Sequence, residues 1–497
     1  MEQLQNRIAE LERENQQLRD KSSPENSGSN ISLLSGGFIP LDIKLFRDKK
    51  SIEKLRISQR RRYPVESDDP TTREKQLLKQ TEHLKLIDDA IDYDIFWREE
   101  RFKYDNAKAE KRKLTNSIRD IMRNKDLSND EKTTQKNMVI TRTKQYETKI
   151  NKHETQGKKY EEFRNQTICQ IGNVCPDDRG IAWTYNEDNS PIYKEFNIDQ
   201  RLNVDDTSDE TTFKSHVDLV EKLDIVSEAL DISGSRSFFL KDLGCYLNQA
   251  LINYGLQFLR DRKFKAMHCP FFIRQSVMGQ CAQLEDFDEQ LYKVSGEGED
   301  KYLIATSEQA LCCHFKDKFI NKKDLPIQVA GYSSCFRKEV GNNGRELKGI
   351  FRVHQFEKVE QFCITEPDKS WEMMEEMLNN SMDFYKSLEI PFRVINVVSG
   401  DLNNAAAQKY DLEAWFPGSK AYRELVSCSN CLDYQSRRLQ TKIKTVGSFV
   451  HMLNSTLTAT ERTICCILEN YQTETGVKIP KVLIPYMPNN VDFIPFV

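Results

Sequence analysis

Nowhere in the 497 residues do about 18 apolar side chains follow one another, so the sequence offers no membrane-spanning helix. The first residues lack an apolar core and are not acid-poor, since Glu2, Glu10, Glu12 and Glu14 come early. Neither a secretory signal nor a transit peptide is expected. Also missing are a Gly-x-x-x-x-Gly-Lys-Ser/Thr loop and a Rossmann fingerprint, so a nucleotide would have to be held by another route. There is no overall basic excess. The formal net charge is −4, and contact with nucleic acid would need a local basic surface. Metal-ligand spacing is sparse too. Of 13 cysteines, only Cys428-Ser-Asn-Cys431 is spaced for zinc, and no second pair or His-x-x-x-His completes four ligands. The expectation is no zinc site, and reduced thiols in a cytoplasmic protein.

What is present divides the chain into five parts. Residues 1–21 read as a short zipper-like helix, with Met1, Leu4, Ile8, Leu11, Asn15 and Leu18 at spacings of three and four. It would self-associate or dock a partner helix; a frayed amphipathic tail is the alternative. Residues 22–40, rich in Ser, Asn and Gly, read as a flexible linker. Residues 41–172 form a helical arm, 173–212 a connecting segment, and 213–497 a globular domain mixing strands and helices.

In the arm, Ile87, Ile91, Ile95 and Phe102 lead one helix, continued by Leu114, Ile118 and Ile121. After the polar break Lys125–Asp130, a second helix carries Val139, Tyr146, Ile150, Tyr160 and Phe163. Each has one narrow apolar seam, which two antiparallel helices could bury against each other. Between Arg98 and Arg164 stand 19 Lys/Arg against 12 Asp/Glu. A basic hairpin is an electrostatic handle for a phosphate backbone, although a merely solvated coiled coil has the same composition.

In the globular part, strand-like runs (Gln328-Val-Ala, Ile350-Phe-Arg-Val, Phe392–Val398) alternate with helical ones (Leu243–Leu259, Lys369–Leu388, Thr456–Thr473). Ser333–Glu339 and Gly349–Phe362 read as two strands joined through Gly341-Asn-Asn-Gly344. Alternation puts Arg337 and Glu339 on one face of the first, and Arg352, Phe356 and Glu360 on one face of the second. Guanidinium, aromatic ring and carboxylate on one wall suit a phosphate, a purine and an ammonium group. His354 and His451 are assigned packing roles, with a minor site contact left open for His354.

The same stretch resembles motif 2 of class II aminoacyl-tRNA synthetases, in the form of the seryl branch: Phe336-Arg-Lys-Glu-Val-Gly341 and Gly349-Ile-Phe-Arg-Val-His-Gln-Phe-Glu-Lys358. Thr306-Ser-Glu-Gln309 is similar to the family's serine-binding block, and Tyr422–Cys431 to its ATP block. Leu453–Arg462, continuing to Cys466–Thr473, resembles motif 3, and Leu243–Leu259 with Met267-His-Cys-Pro270 resembles motif 1. The likeness runs from Leu41 to Val497.

The resemblance implies an α+β fold, an antiparallel sheet flanked by helices, preceded by a long antiparallel coiled-coil arm. It implies that L-serine is activated with ATP and loaded onto tRNA(Ser), and also tRNA(Sec) where present. Arg337, Arg462 and Glu360 would be catalytic. Thr306, Ser307, Glu308, Arg337, Glu360, Asn454 and Thr456 would surround serine. Arg337, Lys338, Glu339, Arg352, Val353, Phe356, Glu424, Leu425, Val426, Ser427 and Arg462 would hold ATP, with Mg²⁺ reached through Glu424 and Ser427. The implied partners are a homodimer mate, formed through motif 1, and a tRNA whose long variable arm the basic hairpin grips. No membrane partner is expected. A non-catalytic paralogue that binds RNA or a partner is the alternative, opposed by the intact set Arg337, Glu339, Glu360, Glu424 and Arg462. Loading of a carrier protein is another, opposed by the hairpin.

Overall fold

The computed structural model describes residues 38–197, 213–282, 290–296, 298–339 and 349–497. The zipper of residues 1–21 and the turn Gly341–Gly344 lie outside the described residues. Contacts group the chain into two units, one of residues up to 56 with 81–171, the other of 57–80 with 172–497. Residues 57–80, read from sequence as part of the arm of residues 41–172, group by contacts with the larger unit.

The smaller unit is built on helices. It holds residues 49–56 of helix α1 (Lys49–Arg62), residues 81–123 of α2 (Pro70–Arg123) and the whole of α3 (Asn129–Cys169). The polar break ends at a capping box: Ser128 Oγ accepts from the Glu131 N–H, while the Glu131 carboxylate accepts from the Ser128 N–H. The expected seam is kept at Ile87 and Ile95, and aromatic residues the sequence reading passed over join it. Ile87, Ala90, Tyr93 and Phe96 recur every three residues and are buried. Tyr93 meets Phe163 at 5.5 Å between ring centroids, and Phe96 meets Tyr160 at 5.4 Å. Phe102, expected on the seam, is 68% exposed. Buried Asp94 takes three guanidinium partners: Arg47 at 2.8 Å, Arg98 at 3.0 Å and Arg164 at 3.1 Å. Such a carboxylate is tolerable inside only because it is paired. An ion pair, Lys111 to Glu147, and a hydrogen-bond contact, His153 Nδ1 to Glu100 Oε2, also link the two helices, each at 2.7 Å.

The larger unit is organised by one sheet of eight strands: β1 Ile192–Phe196, β2 Lys265–His268, β3 Ile327–Phe336, β4 Gln355–Thr365, β5 Phe392–Asn396, β6 Gln408–Phe416, β7 Ala421–Asn430 and β8 His451–Ala459. Their order is β1-β5-β6-β7-β8-β4-β3-β2. Neighbours run antiparallel, except that β2 runs parallel to β3. In the register, Glu360 of β4 sits opposite Gly331 of β3 and Thr456 of β8, next to an irregularity between Val359 and Glu360. An offset of this kind re-aims side chains and is common beside active sites.

Helices α4 (Leu243–Asp261), α6 (Ser370–Ser387) and α8 (Thr460–Asn470) cover the sheet with their apolar faces. Helix α5 (Ser307–His314) and the short α7 (Tyr434–Leu439) belong with a second apolar cluster around Leu311, Phe315, Phe362 and Leu439. Three expectations need correction. Ile350–Val353 is not a strand: Ile350, Phe351 and Val353 are buried in an irregular segment that follows Gly349 at φ 74°. A short buried apolar run looks the same in either conformation. The first motif 2 strand stops at Phe336, so Arg337 and Glu339 follow it, Glu339 at φ 48°. Residues 456–459 finish β8, and the helix begins at Thr460.

Candidate active site

Strands β4, β7 and β8 form the floor of a cavity of about 560 Å³. Alternation along β4 sends Phe356, Lys358 and Glu360 into it together. From outside the strands come Arg337 and Glu339 after β3, Arg352 and Val353 before β4, and Thr306 and Glu308 at the start of α5. Glu424, Leu425 and Ser427 enter from β7, Asn454 and Thr456 from β8, and Arg462 from the first turn of α8. Three of the expected residues do not line it. Ser307 is fully buried, Val426 lies in the core, and Lys338 is placed by its backbone N–H, which donates to the Gln290 carbonyl at 3.0 Å.

One end of the cavity centres on Glu360. Its Oε2 accepts from Thr306 Oγ1 at 2.6 Å, Ser307 Oγ at 2.7 Å and the Glu308 N–H at 3.1 Å. Its Oε1 takes the Lys358 ammonium at 2.8 Å, which also reaches Thr306 Oγ1 at 2.7 Å. Burial pushes this carboxyl up, but Lys358 and the two hydroxyls outweigh it and hold the group below its usual range. Glu308 goes the other way. Burial first, and then the charge of Glu360, lift it to about 7, against a Gln435 hydrogen bond of 2.6 Å. Two adjacent carboxyls are thus driven apart, one ionised and one poised to hold a proton near neutrality.

Guanidinium groups dominate the other end. Arg337 lies over the Phe356 ring at 5.2 Å, and Arg462 over the Phe351 ring at 4.9 Å. Arg462 also donates to the Glu424 carboxylate at 3.3 Å and to the Glu424 carbonyl at 3.2 Å. Burial raises the Glu424 carboxyl, but Arg462, Lys409 and Arg337 more than offset it and keep it ionised. Arg352 pairs with Glu339 at 3.5 Å. An ionised carboxylate beside a hydroxyl, Ser427, is a hard-oxygen pair of the type Mg²⁺ accepts when phosphates supply most of its ligands.

Sequence reasoning missed Lys358, Phe351, Gln435 and Glu461, all of which line the cavity. The signal for Lys358 was available, since it sits between Phe356 and Glu360 at the same parity. Gln435 and Glu461 come from segments that only the fold brings near. Neither histidine lines the cavity. His354 Nδ1 lies 3.0 Å from the Arg337 carbonyl and so braces that residue's backbone, while His451 Nδ1 meets Ser370 Oγ at 2.8 Å. Cys428 and Cys431 are both buried, and Cys431 Sγ accepts from Asn454 Nδ2 at 3.7 Å.

Comparison with known proteins converges on this geometry. A family model of the tRNA synthetase class II core domain (G, H, P, S and T) matches residues 292–471. The chain is 46% identical over 469 residues to the cytoplasmic serine–tRNA ligase of Arabidopsis thaliana, an alignment covering 92% of this chain and 96% of that protein. Among solved structures, it resembles the cytoplasmic serine–tRNA ligase of Naegleria fowleri in complex with AMP, with a TM-score of 0.76 and 42% identity over 92% of this chain and 99% of the other. It also resembles the seryl-tRNA synthetase of Pyrococcus horikoshii complexed with ATP, with a TM-score of 0.80 and 32% identity over 92% and 100%.

Proposed function

The chain belongs to the seryl-tRNA synthetase family of class II enzymes, and on that premise we propose how its own residues carry out the reaction. L-Serine is activated with ATP to seryl-adenylate and pyrophosphate, and the seryl group then passes to the 3′ end of tRNA(Ser). The observation that carries this reading is the polarity of this cavity: a carboxylate ringed by hydroxyls at one end, guanidinium groups at the other.

Serine's ammonium goes to Glu360, exchanging with Lys358, while Thr306, Glu308, Asn454 and Thr456 surround the small side chain. A site that hydrogen-bonds the substrate hydroxyl rejects alanine, because its buried partners would be left unpaired. Arg337 holds the serine carboxylate against the α-phosphorus of ATP and neutralises charge as one of its oxygens attacks. The bond to pyrophosphate breaks, and Arg462 takes the leaving charge. Phe356 offers a stacking face to adenine, and Glu339, Arg352 and Val353 bound the nucleotide. Glu424 and Ser427 would hold Mg²⁺ through the ATP phosphates, where it supplies further charge neutralisation. No side chain serves as nucleophile, so positioning and preorganised charge do the catalysis.

The hairpin of α2 and α3 grips the long variable arm of the tRNA, the motif 1 helix α4 joins two copies in a homodimer, and the protein works in the cytoplasm. Serine-dependent exchange of pyrophosphate into ATP tests the activation step. Exchange should be strong with serine and absent with alanine, and Arg337→Ala should lower it about 10²–10³-fold, the usual loss for one preorganised charge donor. Equal exchange with threonine, or near-normal exchange by Arg337→Ala, would overturn the assignment.

A further inference from the structure

Beside the amino-acid end of the cavity lies a group of side chains that the synthetase reaction does not use. Helix α5 carries Cys312 and Cys313 in succession, and the segment after the short helix Gln275–Met278 brings Cys281 against them. Their three Sγ atoms all lie within 4.8 Å of one another. We propose that Cys281, Cys312 and Cys313 form a three-thiolate site for a thiophilic divalent cation of the Zn²⁺ type.

Distance is the first support. Three sulfurs around zinc, each at about 2.3 Å, stand about 3.8 Å apart, so the side chains need close by only about 1 Å. Charge is the second. Arg438 is 7% exposed, and its guanidinium donates to the Ala282 carbonyl at 3.3 Å and to the Gly279 carbonyl, pinning the segment that delivers Cys281. A divalent ion on three thiolates carries one net negative charge, which this guanidinium balances. Each thiol has a backbone carbonyl within reach: Cys281 Sγ donates to Met278 at 3.4 Å, Cys312 Sγ to Gln309 at 3.4 Å and Cys313 Sγ to Val277 at 4.0 Å.

Entry is open on both sides, since Cys281 and Cys313 are partly exposed and Cys281 also lines the cavity. Binding replaces S–H bonds with metal–sulfur bonds, so each ion displaces protons into solvent. Ligand-spacing rules overlook the site because Cys281 is remote in sequence and adjacent cysteines fit no zinc motif.

The test uses the full-length protein, reduced and stripped of metal, titrated with Cd²⁺ alone while the cadmium–thiolate charge-transfer band and proton release are followed. The proposal expects one ion per chain, bound with release of protons. Cys281→Ser and Cys313→Ser should each weaken binding by at least about 10–100-fold, since even groups outside a metal's ligand set are worth that much. Cys245→Ser, which alters an exposed thiol outside the cluster, should bind like the parent. Absence of the band in the parent protein, unchanged affinity in both cluster variants, or loss of binding in Cys245→Ser would each overturn the proposal.

Discussion

At the scale of single residues, Glu308 gives the most direct check on the cavity's electrostatics. Its folded-state value of about 7 lies above the ordinary 4.5, so between these values the folded protein keeps a proton that the unfolded chain has released. Stability therefore falls as pH rises through this window, by at most about 3 kcal/mol for this group. Glu308→Gln removes the effect. Urea unfolding at pH 5 and at pH 8 should find the variant gaining on the parent at the higher pH. A pH-independent difference would mean that burial and Glu360 do not act on Glu308 as described. At this scale Glu360, Arg337 and Arg462 were legible because charged side chains recur inside recognisable motifs. Lys358 was passed over because it could as easily have been a solvated lysine on a strand. Its place at Glu360 depends on β4 being a central strand, buried on both faces, which periodicity alone does not establish.

Helix α5 and strand β3 give the element-scale lesson. They approach so closely that a Cβ on Gly331 would lie 2.6 Å from Leu311 Cδ1 and 2.8 Å from Ser307 Oγ. The leucine could yield, but the serine is tied to Glu360. Gly331→Ala should push the start of α5 off the sheet, costing about 1–3 kcal/mol, the usual penalty for overpacking. Because Thr306 and Glu308 ride on that end, KM for serine in the exchange assay should rise several-fold while KM for ATP stays near its parent value; an equal rise in both would refute this coupling. Helices α4 and α6 were readable because long amphipathic stretches carry their own period. Ile350–Val353 misled because its burial comes from the walls around it, and nothing local separates a buried loop from a buried strand. Phe102 misled for a related reason: Tyr93 and Phe96 take the buried places on α2 only once their partners Phe163 and Tyr160 are in place.

Taken whole, the molecule separates its chemistry from its basic handle. Every cavity residue belongs to the larger unit, while exposed Lys136, Arg142 and Lys144 lie on α3 in the smaller one. Reversing all three to Glu should leave serine-dependent exchange within about two-fold of the parent. It should also cut tRNA affinity about ten-fold or more at low salt and flatten the salt dependence by about 2–3 in log–log slope, as expected for three lost phosphate contacts. Unchanged tRNA charging would remove the hairpin from the interface. The cavity itself has no local version. Its walls come from residues near 306, 337, 356, 424 and 462, united only by the strand order β3-β4-β8-β7. A slip of β4 by one residue would turn Phe356, Lys358 and Glu360 away together. Turnover in this chain therefore reports completed assembly, since any one of these segments alone carries only a fraction of the cavity wall.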